Sequence, residues 1–262
     1  MRFFILFLTV VLAGCSKRDV LVIGMDATYP PFEFMDEKGQ VTGVSVEIGR
    51  EIAKTTGKEV EFRNINFDGL ITALRTGSID LVISSMTAND ERRKSIAFSE
   101  PYVRTVLSIL AAKDAPVQGA EDLKAPGRRV VVRLGTTGEA WARKHLPQAR
   151  IKALDLDASC VMEVVNGNVD AWVYDQISIM NYHKQHPDKT RALLAPVHAD
   201  EEFWAVGLRQ QDAELKARVD ETLARMRKDG SFSRIAARYM AKEQEMLKQQ
   251  GLPFVFELDA KP

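Results

Sequence analysis

Apolar residues run unbroken through Val20-Leu21-Val22-Ile23 and on to Gly24-Met25, the pattern of a strand buried on both faces. Tyr29-Pro30-Pro31-Phe32 closes that run, because proline cannot continue a ladder. After a turn at Lys38-Gly39-Gln40 the period changes. Val46, Ile48 and Ile52 are apolar while Glu47, Arg50, Glu51 and Lys54 are polar, which predicts a helix from Val46 to Thr55, ended by Gly57. Val60-Glu61-Phe62-Arg63 alternates as a strand, Gly69 to Thr76 predicts a second helix ended by Gly77, and Ile79 to Ile83 is again strand-forming. Strands alternating with helices point to an α/β fold with mostly parallel sheets.

The second half repeats a piece of the first. Leu74-Arg75-Thr76-Gly77-Ser78-Ile79-Asp80-Leu81-Val82-Ile83-Ser84 can be laid on Val164-Val165-Asn166-Gly167-Asn168-Val169-Asp170-Ala171-Trp172-Val173-Tyr174. Each copy is a helix end, a glycine suited to a left-handed terminator, an Asp and a strand, which suggests two similar lobes. Arg128 to Leu134 predicts a further strand, and Gly135-Thr136-Thr137-Gly138 turns into a helix through Trp141 to His145. Ala213 to Met226 and Ile235 to Leu247 read as helices, and Pro253 to Pro262 as a frayed tail. No low-complexity linker divides the chain, so Leu107 to Lys113 and Glu202 to Leu208 are the candidate hinges.

Composition narrows the partners. The chain has 262 residues, 45% hydrophobic and 27% charged, with 36 Lys+Arg against 36 Asp+Glu. That balance offers no net field for nucleic acid or an anionic surface. At the start, Met1-Arg2, an apolar run from Phe3 to Ala13 and Leu12-Ala13-Gly14-Cys15 fit a secretory signal too short to span a bilayer. The segment resembles the lipobox of bacterial lipoproteins, which implies removal of residues 1–14, acylation of Cys15, a linker over 15–19 and anchoring to a membrane outside the cytosol. Cys160 then has no disulfide partner, and its small and apolar neighbours suit core packing.

The stretch Ser84-Ser85-Met86-Thr87-Ala88-Asn89-Asp90-Glu91-Arg92-Arg93 ends a buried strand with hydroxyls, acids and arginines. Asn89 is a good N-cap with acids behind it, and Arg92 adds a fork able to hold a carboxylate by two parallel bonds. The Gly135-Thr136-Thr137-Gly138 turn is a matching corner, and Asp175, ending the second repeat at the position of Ser85, can receive an ammonium. His183 and His186 lie in a polar helical stretch and lack a third metal ligand.

Taken in order, Gly24-Met25-Asp26-Ala27-Thr28-Tyr29-Pro30-Pro31-Phe32-Glu33, Phe67-Asp68-Gly69-Leu70-Ile71, Gly77 to Arg92, Gly135-Thr136-Thr137 and Lys228-Asp229-Gly230-Ser231 resemble the bacterial extracellular solute-binding proteins of the polar amino-acid class. The resemblance runs from about Val20 to Met240. It implies a two-lobed fold of the periplasmic binding-protein type (type II), with lobe one over 20–109 and 203–252 and lobe two over 110–202. It also implies a monomer without cofactor or metal that passes a free polar amino acid to an ABC permease in the inner membrane. Carried over by position, Arg92 would take the ligand carboxylate with help from Thr87 and Thr137. Asp175, Ser85 and the Thr87 hydroxyl would take the ammonium, and Asp26, Tyr29, Phe67, Met86 and Arg133 would complete the pocket. Asp26 favours a cationic or amide side chain and Arg133 an acidic or amide one, unless the two pair with each other. Two rivals share the fold: a periplasmic dehydratase acting on cyclohexadienyl compounds such as arogenate, with an acid among Asp26, Glu33 and Asp175, and a sensory lipoprotein.

Overall fold

The computed structural model describes residues 20–258. From the start of that range the chain forms strands Val20–Met25 (β1), Thr28–Tyr29 (β2), Glu33–Met35 (β3) and Val41–Thr42 (β4), then helix Val44–Thr56 (α1). Strand Glu59–Asn64 (β5) leads through a 3-10 turn, Phe67–Gly69, into Leu70–Arg75 (α2), Leu81–Val82 (β6), Asp90–Arg93 (α3) and Ala97–Thr105 (β7). The middle of the chain supplies Leu107–Ala112 (β8), Arg129–Arg133 (β9), Thr137–His145 (α4), Arg150–Leu154 (β10), Asp157–Val165 (α5), Ala171–Asp175 (β11), Gln176–Gln185 (α6) and Thr190–Leu193 (β12). Strand Glu202–Leu208 (β13) and helices Ala213–Lys228 (α7), Ser231–Tyr239 (α8) and Ala241–Gln249 (α9) complete it.

Two five-stranded sheets share one topology. The first has the order β5-β1-β6-β13-β7 and the second β10-β9-β11-β8-β12. In each, the first three strands are mutually parallel and the last two join antiparallel. The sequence repeat is therefore structural, and its aspartates show why. The Asp80 N–H donates to the Val22 carbonyl while its carboxylate accepts the Val22 N–H; Asp170 does the same with Arg129. An acid at that position satisfies a backbone donor at the strand edge and locks the register of its neighbour.

The chain crosses between sheets twice, and both crossings differ from the expected hinges. It passes from β7 to β8 at Val106 and returns between Leu193 and Glu202. Leu107–Ala112 is thus a fully buried interior strand of the second sheet, so that sheet begins at Leu107 and not at residue 110. The apolar run that made it resemble a linker strand is what a strand covered on both faces requires. Glu202–Leu208 likewise lies inside the first sheet.

Two further expectations are corrected at the C-terminus. The predicted helix from Ile235 to Leu247 breaks at buried Met240, so α8 and α9 pack as separate segments. Within 253–258, moreover, the segment is not frayed: Phe254 and Val255 are buried, the Phe256 ring packs 5.0 Å from Phe232, and the Val255 carbonyl accepts the Arg104 N–H. Truncation after Leu252 should lower the melting temperature by about 10 °C in a thermal scan, since uncovering two core side chains costs roughly 3–5 kcal/mol. An unchanged transition would return this segment to the status of a loose end.

Candidate functional site

The cleft between the sheets is lined by the loops that follow the carboxyl ends of the parallel strands, the usual location of a ligand in such sheets. From the first lobe, β1 delivers Asp26, the short β2–β3 hairpin pairs Tyr29 with Glu33, the 3-10 turn brings Phe67, and the segment after β6 brings Ser84, Ser85, Thr87 and Arg92. From the second, β9 delivers Arg133, its turn Thr136 and Thr137, and β11 Tyr174 and Asp175. These residues enclose about 400 Å³, including the open mouth.

Local backbone geometry aims the side chains. Ser85, at φ 49°, is the one non-glycine with left-handed backbone among the described residues. That turn directs Ser84 Oγ to the Asp26 N–H and Ser85 Oγ to Glu33. Asn89 caps α3 as expected, its Oδ1 accepting the Arg92 N–H. In the second lobe Thr136 caps α4, and Gly138 lets that helix close on β11, since a Cβ there would lie 2.6 Å from the Val173 carbonyl oxygen. Gly135, at φ 76°, sits against Asp68 of the other lobe, where an added Cβ would come within 3.2 Å.

Polar links join the lobes. Arg92 donates to the Thr87 carbonyl at 2.8 Å in its own lobe and to the Gly135 carbonyl at 3.0 Å across the cleft. Tyr29 donates its hydroxyl to Asp175 at 3.2 Å. Arg133 donates to Asp26 at 2.5 Å across the cleft and to Asp157 at 2.6 Å on its own side. Glu202 accepts from Thr87 and Thr137, each at 2.8 Å. An aromatic chain backs these links, with Phe32, Trp204 and Tyr29 of the first lobe meeting Tyr174 and Trp172 of the second at centroid distances of 4.5–5.9 Å.

Burial tunes the charges. Arg92 is lowered to about 10 by desolvation, against the opposing pull of Glu202 and Asp175, and so remains cationic at neutral pH. Asp175 is pushed well above the ordinary carboxylate range by burial and then by the Glu202 charge, with the Tyr29 hydrogen bond opposing. Glu33 is raised in the same way by burial, despite its bonds from Ser45 and Ser85. Asp157 is raised to about 6 by burial, which outweighs Arg133.

Nine of the ten predicted pocket residues line this cavity: Asp26, Tyr29, Phe67, Ser85, Thr87, Arg92, Arg133, Thr137 and Asp175. Met86 does not. Its side chain is buried in the apolar cluster with Val22, Leu70, Leu74 and Val82, because alternation along the strand end turns it away from its hydroxyl neighbours. Thr28, Ser84, Thr136 and Tyr174 were missed, although each adjoins a predicted residue. Glu202 was missed altogether, and no local signal marks it: it reaches the site only because β13 pairs with the end of β7, Glu202 facing Thr105. Asp26 and Arg133 pair with each other, the alternative that the sequence left open.

Among the described residues no group of three His, Cys, Asp or Glu could hold a metal. His183, on α6, bonds Thr190 at the start of β12, and Cys160 is a buried free thiol raised to about 12 by desolvation. Cys15 and the predicted signal lie outside the described residues.

Known proteins resemble the chain along most of its length. The L-cystine-binding protein TcyJ of Escherichia coli (strain K12) is 31% identical over 226 residues, covering 86% of this chain and 84% of that protein. The arginine-binding extracellular protein ArtP of Bacillus subtilis (strain 168) is 30% identical over 230 residues, covering 87% and 89%. Among solved structures, the ancestral amino acid-binding protein AncCDT-1, a precursor of cyclohexadienyl dehydratase, superposes with a TM-score of 0.77 at 36% identity over 84% of this chain and 95% of that one. The family model for bacterial extracellular solute-binding proteins, family 3, matches residues 21–242, and the chain belongs to that family.

Proposed function

We propose that this protein captures a free polar L-α-amino acid between its lobes and presents it to the permease of an ABC importer. One observation carries the reading: a guanidinium from the first lobe and a carboxyl from the second, Arg92 and Asp175, face one buried cavity and feel each other's charge. A zwitterion has the two opposite charges such a pair requires, and pairing both is what makes its burial tolerable. Arg92 keeps unused N–H donors for the ligand carboxylate, with the turn at Thr137 beside it. Asp175, the Ser85 carbonyl and the Thr87 hydroxyl oxygen hold the ammonium. The hydroxyls of Thr87 and Thr137 donate to Glu202, which leaves their lone pairs for the ligand's donors.

Closure is a rotation about the two crossings near Val106 and residues 194–201, and the bound ligand stabilises the closed form that the permease recognises. Division of the chain at these crossings, a monomeric state, and tethering through acylated Cys15 to a membrane belong to the same reading. The relatives named above are binding proteins, which supports transport over the dehydratase alternative.

A thermal-shift screen of the purified protein against the common amino acids tests this. A polar amino acid at 100 times its dissociation constant should add about 2.7 kcal/mol of stability and raise the transition visibly. Prephenate and arogenate should yield no product. The absence of a shift with every amino acid, or turnover of either compound, would sink the proposal.

A further inference from the structure

Tyr29 lines the amino-acid cavity and also a second crevice between the lobes, of about 590 Å³ including its open mouth. The first lobe supplies Tyr29, the Pro30-Pro31 turn and Glu243 of α9; the second supplies Asp157, at the start of α5, and one face of α6. Helix α6 is anchored at both crossings of the chain. The Gln176 N–H donates to the Val106 carbonyl, and the Gln176 side chain donates to the Leu194 carbonyl. A ligand held against this helix therefore bears on the joint between the lobes.

Asp157 spends one carboxylate oxygen and leaves the other idle. Oδ1 accepts Arg133 at 2.6 Å. The Tyr174 hydroxyl also favours the ionised carboxyl, yet Oδ2 keeps no hydrogen-bond partner, although the side chain is only 2% exposed. A buried acceptor of this kind requires a donor. Asp157 lines this crevice and not the amino-acid cavity, so the crevice is where that donor can come from. Half-buried Glu243, with Asn181 and Gln185 on α6, likewise makes no side-chain hydrogen bond or ion pair among the described residues. No Lys or Arg lines the crevice. Arg133 offsets the charge of Asp157, and Glu243 stays uncompensated. The lining thus asks for a compact cation rich in donors. A chelated metal does not fit, since no group of three His, Cys, Asp or Glu is present among the described residues.

We infer that this crevice is a second ligand site, which takes a small primary alkylammonium between Asp157 and Glu243 and fastens the lobes together in the arrangement seen here. An ammonium has three N–H donors for Asp157 Oδ2 and the amide oxygens of α6, and its methylenes suit walls made of Pro30, Pro31 and the rings of Tyr29 and Tyr182. The two acids belong to different lobes, so occupancy favours the closed form. By reciprocity it tightens amino-acid binding by the factor with which the amino acid tightens the amine. That coupling rests on the reading of the cleft proposed above, whereas the site itself does not.

Titration of the full chain with n-butylammonium chloride, followed through the amide NMR signals of Ser178 to Gln185 and Glu243, tests the inference in wild type, Asp157→Asn, Glu243→Gln and Asp175→Asn. Wild type should show saturable shifts at those signals. Asp157→Asn keeps an oxygen for Arg133 but sets an amide where the ammonium would lie, and should weaken the amine about tenfold, with Glu243→Gln weakening it about threefold. Asp175→Asn, altered in the amino-acid cavity, should bind the amine as wild type does. Saturating amine should tighten wild-type binding of the cognate amino acid about threefold and leave that of Glu243→Gln nearly unchanged. The absence of saturable shifts in wild type, which would leave the crevice to water alone, overturns the inference. So do shifts that vanish in Asp175→Asn and persist in Glu243→Gln, since these would place the amine in the amino-acid cavity. Saturation without effect on amino-acid affinity would confine the amine to one lobe and overturn it as well. If Asp157→Asn fails to fold, unchanged amine affinity in Glu243→Gln has the same force. Failure of wild type to bind any amino acid removes the reading of the cleft, while the amine titration still decides this site.

Discussion

Arg92→Ala should weaken binding of the cognate amino acid about a hundredfold in calorimetry, because deleting one partner of a buried charge pair costs roughly 2–5 kcal/mol. The cost arises on the ligand's side: its carboxylate would enter a site that retains Glu202 and Asp175 but has lost its cation. The free protein should lose little. Arg92 carries a desolvation penalty, shown by its lowered pKa, and its structural bonds go to two backbone carbonyls, Thr87 and Gly135. Its guanidinium also lies 5.4 Å from the Phe67 ring centroid, a contact that alanine removes at modest cost. The melting transition should therefore stay close to that of wild type. Near-unchanged affinity would take the ligand carboxylate away from Arg92.

Asp175→Asn should do comparable damage at the other pole, and it carries a proton signature. In the free cleft the Asp175 carboxyl is raised well above its ordinary range, by burial first and by Glu202 next, so that it retains its proton at pH values where an exposed aspartate has lost it. An ammonium ligand binds the ionised form. Binding thus releases a proton below the raised pKa, and affinity climbs with pH until the free carboxyl ionises, then levels off. Calorimetry in buffers of different ionisation heat should detect that release in wild type. Asp175→Asn should show a weaker, flatter pH response with this proton missing. A variant that keeps both its affinity and the wild-type proton count would mean that the ammonium sits elsewhere.

Much of the architecture was legible because its signals are local. The helical period read from Val46 to Thr55 marks α1, observed over Val44–Thr56, and Gly57 ends it in left-handed backbone at φ 67°. Asn89 caps α3, and the turn at Gly135-Thr136-Thr137-Gly138 starts α4 with Thr136 as its cap. The Gly–Asp repeat located both β6 and β11, although β6 proper is only Leu81–Val82. Errors fell where a pattern has two physical readings. An apolar run serves a hinge strand or a buried one, as at Leu107–Ala112. Met240 interrupts a helical period that continues on both sides of it. Phe254 to Phe256 reads as a tail until a groove against Phe232 is known to exist.

By itself the sequence determined the element types, the strand-end loops that line the cleft, and the presence of Arg92 and Asp175 on two of those loops. Each of these follows from residues within one helical turn or one strand of each other. Tertiary structure alone decided which charges are spent internally. Arg133 and Asp26 are separated by 107 positions, and Glu202 and Thr87 by 115, so their pairing depends on how the lobes meet. That relation is set by packing over the whole cleft, where a shift of a few ångströms turns a paired acid into a free one. No local pattern encodes such a distance.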